Sequence, residues 1–353
     1  MKKKVLIITS GSSQLITQLS VLKNKAIDFN NVSLIYTGLF NESLELFFKQ
    51  VSDLFGFTYL GQILFNINPI ALSKKDFFYY FLTGRFSRLF NLIEKKYPLL
   101  VDNRNFDLLI IPVRVKVFSD NVLLSYLKPK SVLLVADGVI DVLPERNFKN
   151  WKYYYLKKTL TSFPLSVNIY SPHFLKIDMT KIGVFKEVNI DEILKEICKI
   201  GLVSKFKKIY MNDSISHVII SQHYHLHEGI ELENDILYYT QIIKYALENC
   251  GNSKVLFKPH PRDIKQKIEK LQCYDDQRLL VVDDELKSLP IEFLGNEIKQ
   301  MQTVFLTGNS SAPLYFKKTN NIISVCSKKN LHVALNNRVK EFSNKYNINY
   351  IDL

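Results

Sequence analysis

Residues 254–262 read Lys-Val-Leu-Phe-Lys-Pro-His-Pro-Arg. The short apolar run before the two prolines predicts a buried strand that ends in a rigid turn. Because proline fixes φ, the turn holds the side chain of His260 in one direction, with Lys258 and Arg262 on either side of it. A histidine between two cations at a strand end can bind or protonate a leaving phosphate. The plainer alternative is a structural turn whose histidine caps a backbone group.

Strand and helix patterns alternate on both sides of this turn. Short apolar runs predict strands at 4–9, 32–36, 107–113, 131–136, 217–221, 254–258, 279–282, 303–306 and 321–325. Amphipathic spacing predicts helices at 14–25, 42–54, 120–127, 190–200, 232–249, 291–300 and 334–346. This alternation is typical of an α/β protein with mostly parallel sheets, and we predict two Rossmann-like domains that face a cleft.

The length of 353 residues exceeds one average domain. A Lys- and Glu-rich stretch at 177–208 is the predicted linker, so we place the domains at 1–200 and 201–353. We also expect that the last helix can pack back on the N-terminal domain. Ligands of open parallel sheets bind at the carboxyl ends of the strands, which is where the candidate loops fall.

Composition bounds the partners and the compartment. The net charge is +13, which favours phosphate- or carboxylate-bearing substrates or an anionic membrane, while no nucleic-acid-binding signature is present. No apolar run is long enough for a signal peptide or a membrane span. We therefore predict a cytoplasmic protein, with aromatic-basic stretches at 77–88 and 151–158 as candidates for peripheral contact with the inner face of an anionic membrane. The four cysteines lie far apart and fit a reducing compartment: Cys198, Cys250, Cys273 and Cys326.

A second candidate loop follows the predicted strand at 303–306. It reads Thr-Gly-Asn-Ser-Ser, in which Gly308 permits a tight turn, and Asn309, Ser310 and Ser311 supply polar groups ahead of a helix. Unsatisfied N–H groups at a helix start bind anions, so the loop is a candidate phosphate site. A serine that only caps the helix is the alternative.

Further candidates stand near these loops and in the N-terminal half. Glu292, in the first turn of a predicted helix, could accept hydrogen bonds from ribose or a base, and Gln222 could line the nucleotide site. Asp137 ends a buried strand in the turn Ala-Asp-Gly and could take a proton from an acceptor hydroxyl, with Asp141 as its rival. Ser12 and Gln14 follow the first strand and are secondary candidates. No Asp-x-Asp motif stands at a strand end, so we predict no metal.

The Asp-Gly turn, the Lys-Pro-His-Pro turn and the Ser-Ser loop, in this order, resemble bacterial sialyltransferases and polysialyltransferases of lipooligosaccharide and capsule. The resemblance implies a GT-B fold, a CMP-activated nonulosonic acid as donor, inversion at the anomeric carbon and no metal. It makes the N-terminal domain the acceptor side and the C-terminal domain the nucleotide-sugar side, and it implies contact with capsule-synthesis proteins.

Carried to this sequence, the resemblance makes Asp137 the general base and His260 the general acid or phosphate stabiliser. It makes Ser310 and Ser311 phosphate ligands and Glu292 a cytidine or ribose contact. Lys258 and Pro261 belong to the nucleotide turn. One departure is that Ala136 replaces the first acid of the family's acid-acid-Gly turn.

Two other functional classes remain open at this stage. CDP-glycerol-type glycerophosphotransferases share the His-Pro turn and the Ser-Ser loop and also release CMP, and a Kdo transferase is a related alternative. A non-catalytic nucleotide-binding protein of capsule assembly would need neither Asp137 nor His260.

Overall fold

The computed structural model describes residues 3–37, 42–62, 105–112, 126–135, 168–171 and 184–353, with gaps at 212, 228, 273–275 and 301, and the single positions 91, 94 and 98. The chain divides into two compact units, Met1–Ile193 and Leu194–Leu353. The sequence-based boundary falls after residue 200. Within the described residues no helix is long and apolar enough to cross a membrane.

The first unit contains a seven-stranded parallel sheet. Its strands are β1 (Val5–Thr9), β2 (Val32–Tyr36), β3 (Thr58–Gln62), β4 (Leu108–Pro112), β5 (Ser131–Val135), β6 (Asn168–Ser171) and β7 (Val184–Glu187). Their order in the sheet is β3-β2-β1-β4-β5-β6-β7. The helices described in this unit are α1 (Ser12–Asn24) and α2 (Glu42–Phe55), with a 3₁₀ turn at Phe29–Asn31, and α3 (Asp191–Ile197) crosses into the second unit.

The second unit contains a six-stranded parallel sheet of strands β8 (Ile215–Ile220), β9 (Lys254–Lys258), β10 (Leu279–Val281), β11 (Val304–Thr307), β12 (Asn321–Cys326) and β13 (Asn349–Asp352). Their order is β10-β9-β8-β11-β12-β13. Its helices are α4 (Gly201–Tyr210), α5 (Tyr224–His227), α6 (Leu232–Asn249), α7 (Lys265–Gln272), α8 (Gly295–Gln300) and α9 (Val333–Tyr346), with 3₁₀ turns at Ile291–Leu294 and Ala312–Phe316.

The core of the second unit forms because the strands are apolar on both faces and α6 lays one continuous apolar face on them. Tyr238, Tyr239, Ile242 and Ile243 are fully buried and pack with residues of β8 and β9, such as Phe257. The last helix, α9, packs on β12 and β13 of the same sheet. It ends at Asn347, whose φ of 48° gives the left-handed cap that stops a helix.

Most predicted elements are confirmed, and some need correction. The strands at 32–36 and 254–258 and the helix at 232–249 have the predicted bounds. The predicted helix at 291–300 is a 3₁₀ turn, Ile291–Leu294, followed by the short α8, because Gly295, a weak helix former, stands at the junction of the two. The sequence missed β3, β6, β7, β13, α4, α5 and α7.

Strand order determines where a ligand site can form in the second unit. The chain runs from β8 to β9 and β10 in one direction, and then returns to β11 on the other side of β8. The reversal between β8 and β11 leaves a crevice at the carboxyl ends of these strands, which is where open α/β sheets bind ligands. The loops after β8, β9 and β11 all begin at this edge.

Candidate active site

Three loops meet at the carboxyl edge of the second sheet, and side chains connect them. The hydroxyl of Tyr224, just after β8, donates to Oδ1 of Asn309, after β11, at 3.0 Å. The rings of His223, after β8, and His260, after β9, have centroids 3.8 Å apart. The structure therefore brings together the two loops that the sequence singles out, through residues of a third loop.

Gly308 is required by a close approach to Tyr224. A β-carbon built at position 308 would lie 1.8 Å from the hydroxyl oxygen of Tyr224 and 3.3 Å from that of Tyr238. Only glycine leaves room for both tyrosines, so this glycine serves packing as well as the turn.

The serines that follow are arranged differently from the predicted helix start. Ala312–Phe316 is a 3₁₀ turn with Ser311 at its N-cap, so no long helix dipole points at the loop. The N–H of Ser310 donates to Oγ1 of Thr307 at 3.3 Å, and the N–H of Ala312 donates to Oγ of Ser310 at 3.4 Å. Within the described residues, the hydroxyl hydrogens of Ser310 and Ser311 have no acceptor, so these hydroxyls are the groups that remain to bind an oxyanion.

His260 has a defined tautomer. The backbone N–H of Arg262 donates to Nδ1 of His260 at 3.1 Å, so Nδ1 is an acceptor. We therefore assign the ring proton to Nε2. Burial lowers the pKa of His260 well below its ordinary value, and His223, Arg262, Lys258 and Lys267 lower it further. The ring is thus neutral near pH 7 and presents an N–H donor.

Lys258 and Glu292 are two buried charged residues near this turn, and each affects the pKa of the other. Nζ of Lys258 donates to the carbonyl oxygens of Pro259, at 3.2 Å, and of Lys287. Burial lowers the pKa of Lys258 to about 7, against the opposing effect of Glu292. Burial raises the pKa of Glu292 to about 7, and Oε2 of Glu292 has no hydrogen-bond partner among the described residues. Glu292 is only 7% exposed, so its carboxyl group is more enclosed than that of a helix-surface residue that contacts a ribose.

The sequence missed an ionic cluster around Lys267, on α7. This lysine is fully buried, and its Nζ lies 3.0 Å from Asp235 Oδ2 and from Asp263 Oδ1. Nδ1 of His225 lies 2.7 Å from the same oxygen of Asp235. The histidine nitrogen and the two carboxylates lie within 4.8 Å of one another, and the ammonium of Lys267 binds both carboxylates. The ammonium of Lys267 is therefore the cation at the centre of this cluster, and it holds the two carboxylates together.

The remaining predicted residues lie in different places. The backbone of Gln222 is fixed, because its N–H donates to the hydroxyl of Tyr239 at 2.5 Å. Pro261 completes the turn after His260 and is half-buried. In the first unit, Ser12 begins α1 and is buried.

Gln14 is also buried in the first unit. Its Oε1 accepts from the N–H of Ser10 at 2.9 Å and from the Ser10 hydroxyl at 2.8 Å. Asp137 and Asp141 lie outside the described residues, as do both aromatic-basic stretches.

Two Rossmann-like units, the second with polar loops gathered at its switch point, define the GT-B class of glycosyltransferases and related enzymes. The sequence profile of the alpha-2,8-polysialyltransferase (POLYST) family matches residues 121–329. This match covers more than half of the chain, and the chain belongs to that family. It is a glycosyltransferase of the sialyltransferase group, as predicted, and such enzymes act with a nucleotide-sugar donor and a glycan acceptor.

Solved structures agree on the fold. The α/β-galactoside α-2,3-sialyltransferase of Photobacterium phosphoreum is 12% identical, with a TM-score of 0.50 and coverage of 99% of both chains. UDP-GlcNAc 2-epimerase from Neisseria meningitidis is 13% identical, with a TM-score of 0.52, 92% of this chain and 82% of that one. The S. aureus MnaA–UDP structure is 10% identical, with a TM-score of 0.54, 91% of this chain and 79% of that one. No curated protein sequence matches the chain.

Proposed function

We propose that the protein transfers sialic acid, or a related nonulosonic acid, from a CMP-sugar to a glycan acceptor of surface polysaccharide or lipooligosaccharide. The reaction inverts the anomeric carbon and needs no metal. Membership of a polysialyltransferase family supports sialyl transfer. The α-2,8 linkage in the family's name suggests an acceptor that ends in sialic acid and a new α-2,8 bond.

The observation that carries the proposal is the place of His260 at the carboxyl edge of β9, with Nδ1 accepting the N–H of Arg262, so that Nε2 is assigned as the N–H donor. A CMP-sugar is a phosphodiester whose leaving group gains negative charge as the bond to the sugar breaks. A fixed N–H donor directed at that charge stabilises the transition state more than the ground state. The hydroxyls of Ser310 and Ser311 are suited to bind other phosphate oxygens.

The proposed step is a single displacement. The acceptor oxygen forms a bond to the anomeric carbon while the bond from that carbon to the phosphate oxygen breaks, which inverts the configuration. The acceptor proton passes to the carboxylate of Asp137, and the electron pair of the broken bond stays on CMP, whose oxygen accepts a hydrogen bond from His260.

Positive charge for the leaving group comes from the protein in this proposal. Arg262, two residues after His260, is the cation of this turn, while the buried Lys258 at the end of β9 holds two backbone carbonyls of the surrounding loops. CMP carries a single phosphate, so protein donors can match its charge without the divalent ion that pyrophosphate leaving groups usually require.

A panel of donors tests the proposal. Purified protein is incubated with CMP-sialic acid, CMP-Kdo, CDP-glycerol or UDP-sugars and an oligosialic acid acceptor, and the released nucleotide is quantified. We expect CMP from CMP-sialic acid well above the other donors. Faster turnover of CDP-glycerol than of CMP-sialic acid would show a glycerophosphotransferase, and faster turnover of CMP-Kdo would show a Kdo transferase. Binding of CMP without turnover of any donor would support the non-catalytic alternative.

A further inference from the structure

A fully buried lysine packs against the two loops that carry the histidine pair. We propose that Lys267 is a positioning residue for the departure of the nucleotide. Through Asp263 it holds the backbone of His260, and through Ser221 and Gln222 it holds the neighbouring loop. This inference rests on the proposed function, because it gives Lys267 a part in the same reaction.

The contacts of Lys267 connect four segments of the second unit. Its ammonium lies over the ring of Tyr239, 4.3 Å from the centroid. Its oxygen acceptors, each at 3.0 Å, are Ser221 Oγ, the Gln222 carbonyl, Asp235 Oδ2 and Asp263 Oδ1. One ammonium thus joins the loop after β8, the turn after β9, helix α6 and its own helix α7.

Asp263 transmits this contact to His260. One carboxylate oxygen, Oδ1, binds the ammonium of Lys267. The other, Oδ2, accepts the backbone N–H of His260 at 2.8 Å and the hydroxyl of Ser221 at 2.6 Å. The same carboxylate therefore fixes the residue that bears the imidazole and the strand end beside it. His223, two residues after Ser221, places its ring against that imidazole.

A cation is needed at this position because two carboxylates are buried beside each other. Asp235 is 0% exposed and Asp263 is 2% exposed. Two buried carboxylates repel each other unless a cation binds both. Without the ammonium, we expect the turn after β9 to move away from its present place. A displacement of about 1 Å at a reacting group can lower a rate about 100-fold.

A double-mutant cycle separates positioning from general stability. Lys267→Met and His260→Ala are made singly and together, and kcat and KM for CMP-sialic acid are measured. If Lys267 acts through His260, Lys267→Met lowers kcat about 100-fold in the parent but less than about threefold when His260 is already alanine. Equal effects of Lys267→Met in both backgrounds would overturn the proposal.

A matched control and a fallback keep the test decisive. Lys207→Met breaks an ion pair with Glu297 in the same unit, at 2.9 Å, and should leave kcat unchanged. If Lys267→Met does not fold, the same cycle is made with Asp263→Asn, which keeps the side-chain shape and removes the charge. Lys267→Arg, which keeps the charge, should recover part of the activity.

A titration of His260 by NMR tests the positioning without any donor. The groups whose charges act on its ring are His223, Arg262, Lys258 and Lys267. In folded Lys267→Met the pKa of His260 should rise towards its ordinary value, because the turn opens and one nearby positive charge is lost. An unchanged pKa of His260 would overturn the inference. Absence of turnover in the parent would instead remove the proposed function and leave this titration as the test of Lys267.

Discussion

The backbone N–H of Arg262 donates to Nδ1 of His260 at 3.1 Å, which leaves the ring proton on Nε2. Substitution of His260 by Asn or Gln can distinguish the roles of the two ring nitrogens. The amide nitrogen of Asn lies near the position of Nδ1, and that of Gln lies near the position of Nε2. We predict that His260→Asn lowers kcat at least about 100-fold. His260→Gln should retain about tenfold more activity, since one donor to the charged leaving group is kept.

The measurement is initial-rate CMP release from CMP-sialic acid at saturating acceptor. Thermal unfolding of both variants serves as the control for folding. Equal activity of the two variants, or higher activity of His260→Asn, would show that Nε2 is not the functional nitrogen.

The contact between Gly308 and Tyr224 predicts a compensating pair. Gly308→Ala should destabilise the protein by about 1–3 kcal/mol, because the new β-carbon meets the tyrosine hydroxyl. Tyr224→Phe removes that hydroxyl, so the double variant should be more stable than the sum of the single changes predicts. Urea unfolding of the four proteins measures the coupling. Gly201→Ala, where no atom lies within 4 Å of the new β-carbon, is the matched control. Strict additivity would contradict the predicted contact.

Glu292 predicts a pH dependence of stability. The pKa of Glu292 is raised from 4.5 to about 7 in the folded state, so the folded state binds the proton more tightly than the unfolded state. Its contribution is fully present below pH 4.5 and is lost as the pH rises through 7. Parent protein should lose roughly 3 kcal/mol more than Glu292→Gln between pH 4.5 and 8. Urea unfolding across this range checks the difference, and parallel curves would contradict it.

The proposed base can be distinguished from its neighbour in the sequence. Asp137→Asn should lower kcat about 1,000-fold because no carboxylate remains to take the acceptor proton, while KM for the donor changes little. Asp141→Asn should keep kcat within about threefold. Steady-state kinetics with a fixed acceptor measure both variants. If Asp141→Asn instead shows the large loss of kcat and Asp137→Asn does not, Asp141 is the base.

Much of the fold can be predicted from the sequence because the strands are buried on both faces and appear as continuous apolar runs. The run at 254–258 and the helical spacing at 232–249 each correspond to one element with the predicted bounds. The strand at 349–352 was missed because it lies at the sheet edge, is mostly exposed and has only two apolar residues, Tyr350 and Ile351. The strand at 58–62 is also at an edge and only half-buried.

The site could be predicted only in part, for a physical reason. Proline and glycine mark strand-end turns locally, so His260 and Gly308 are visible in the sequence. Burial of a charge depends on groups that are distant along the chain, so Lys267 has the appearance of a solvated lysine in a polar helix. The spacing of Asp263 and Lys267, four residues apart, was the one local signal for their ion pair. The contact of Tyr224 with position 308 had no local signal.

Turnover of CMP-sialic acid in excess EDTA, with a defined oligosialic acid acceptor, tests sialyl transfer by protein groups alone. We predict that CMP and newly bound sialic acid form in equal amounts, that the rate is unchanged by added magnesium, and that His260→Asn abolishes most of it. No CMP release in EDTA, with activity restored by magnesium, or release of UDP from a UDP-sugar instead, would contradict the proposed reaction.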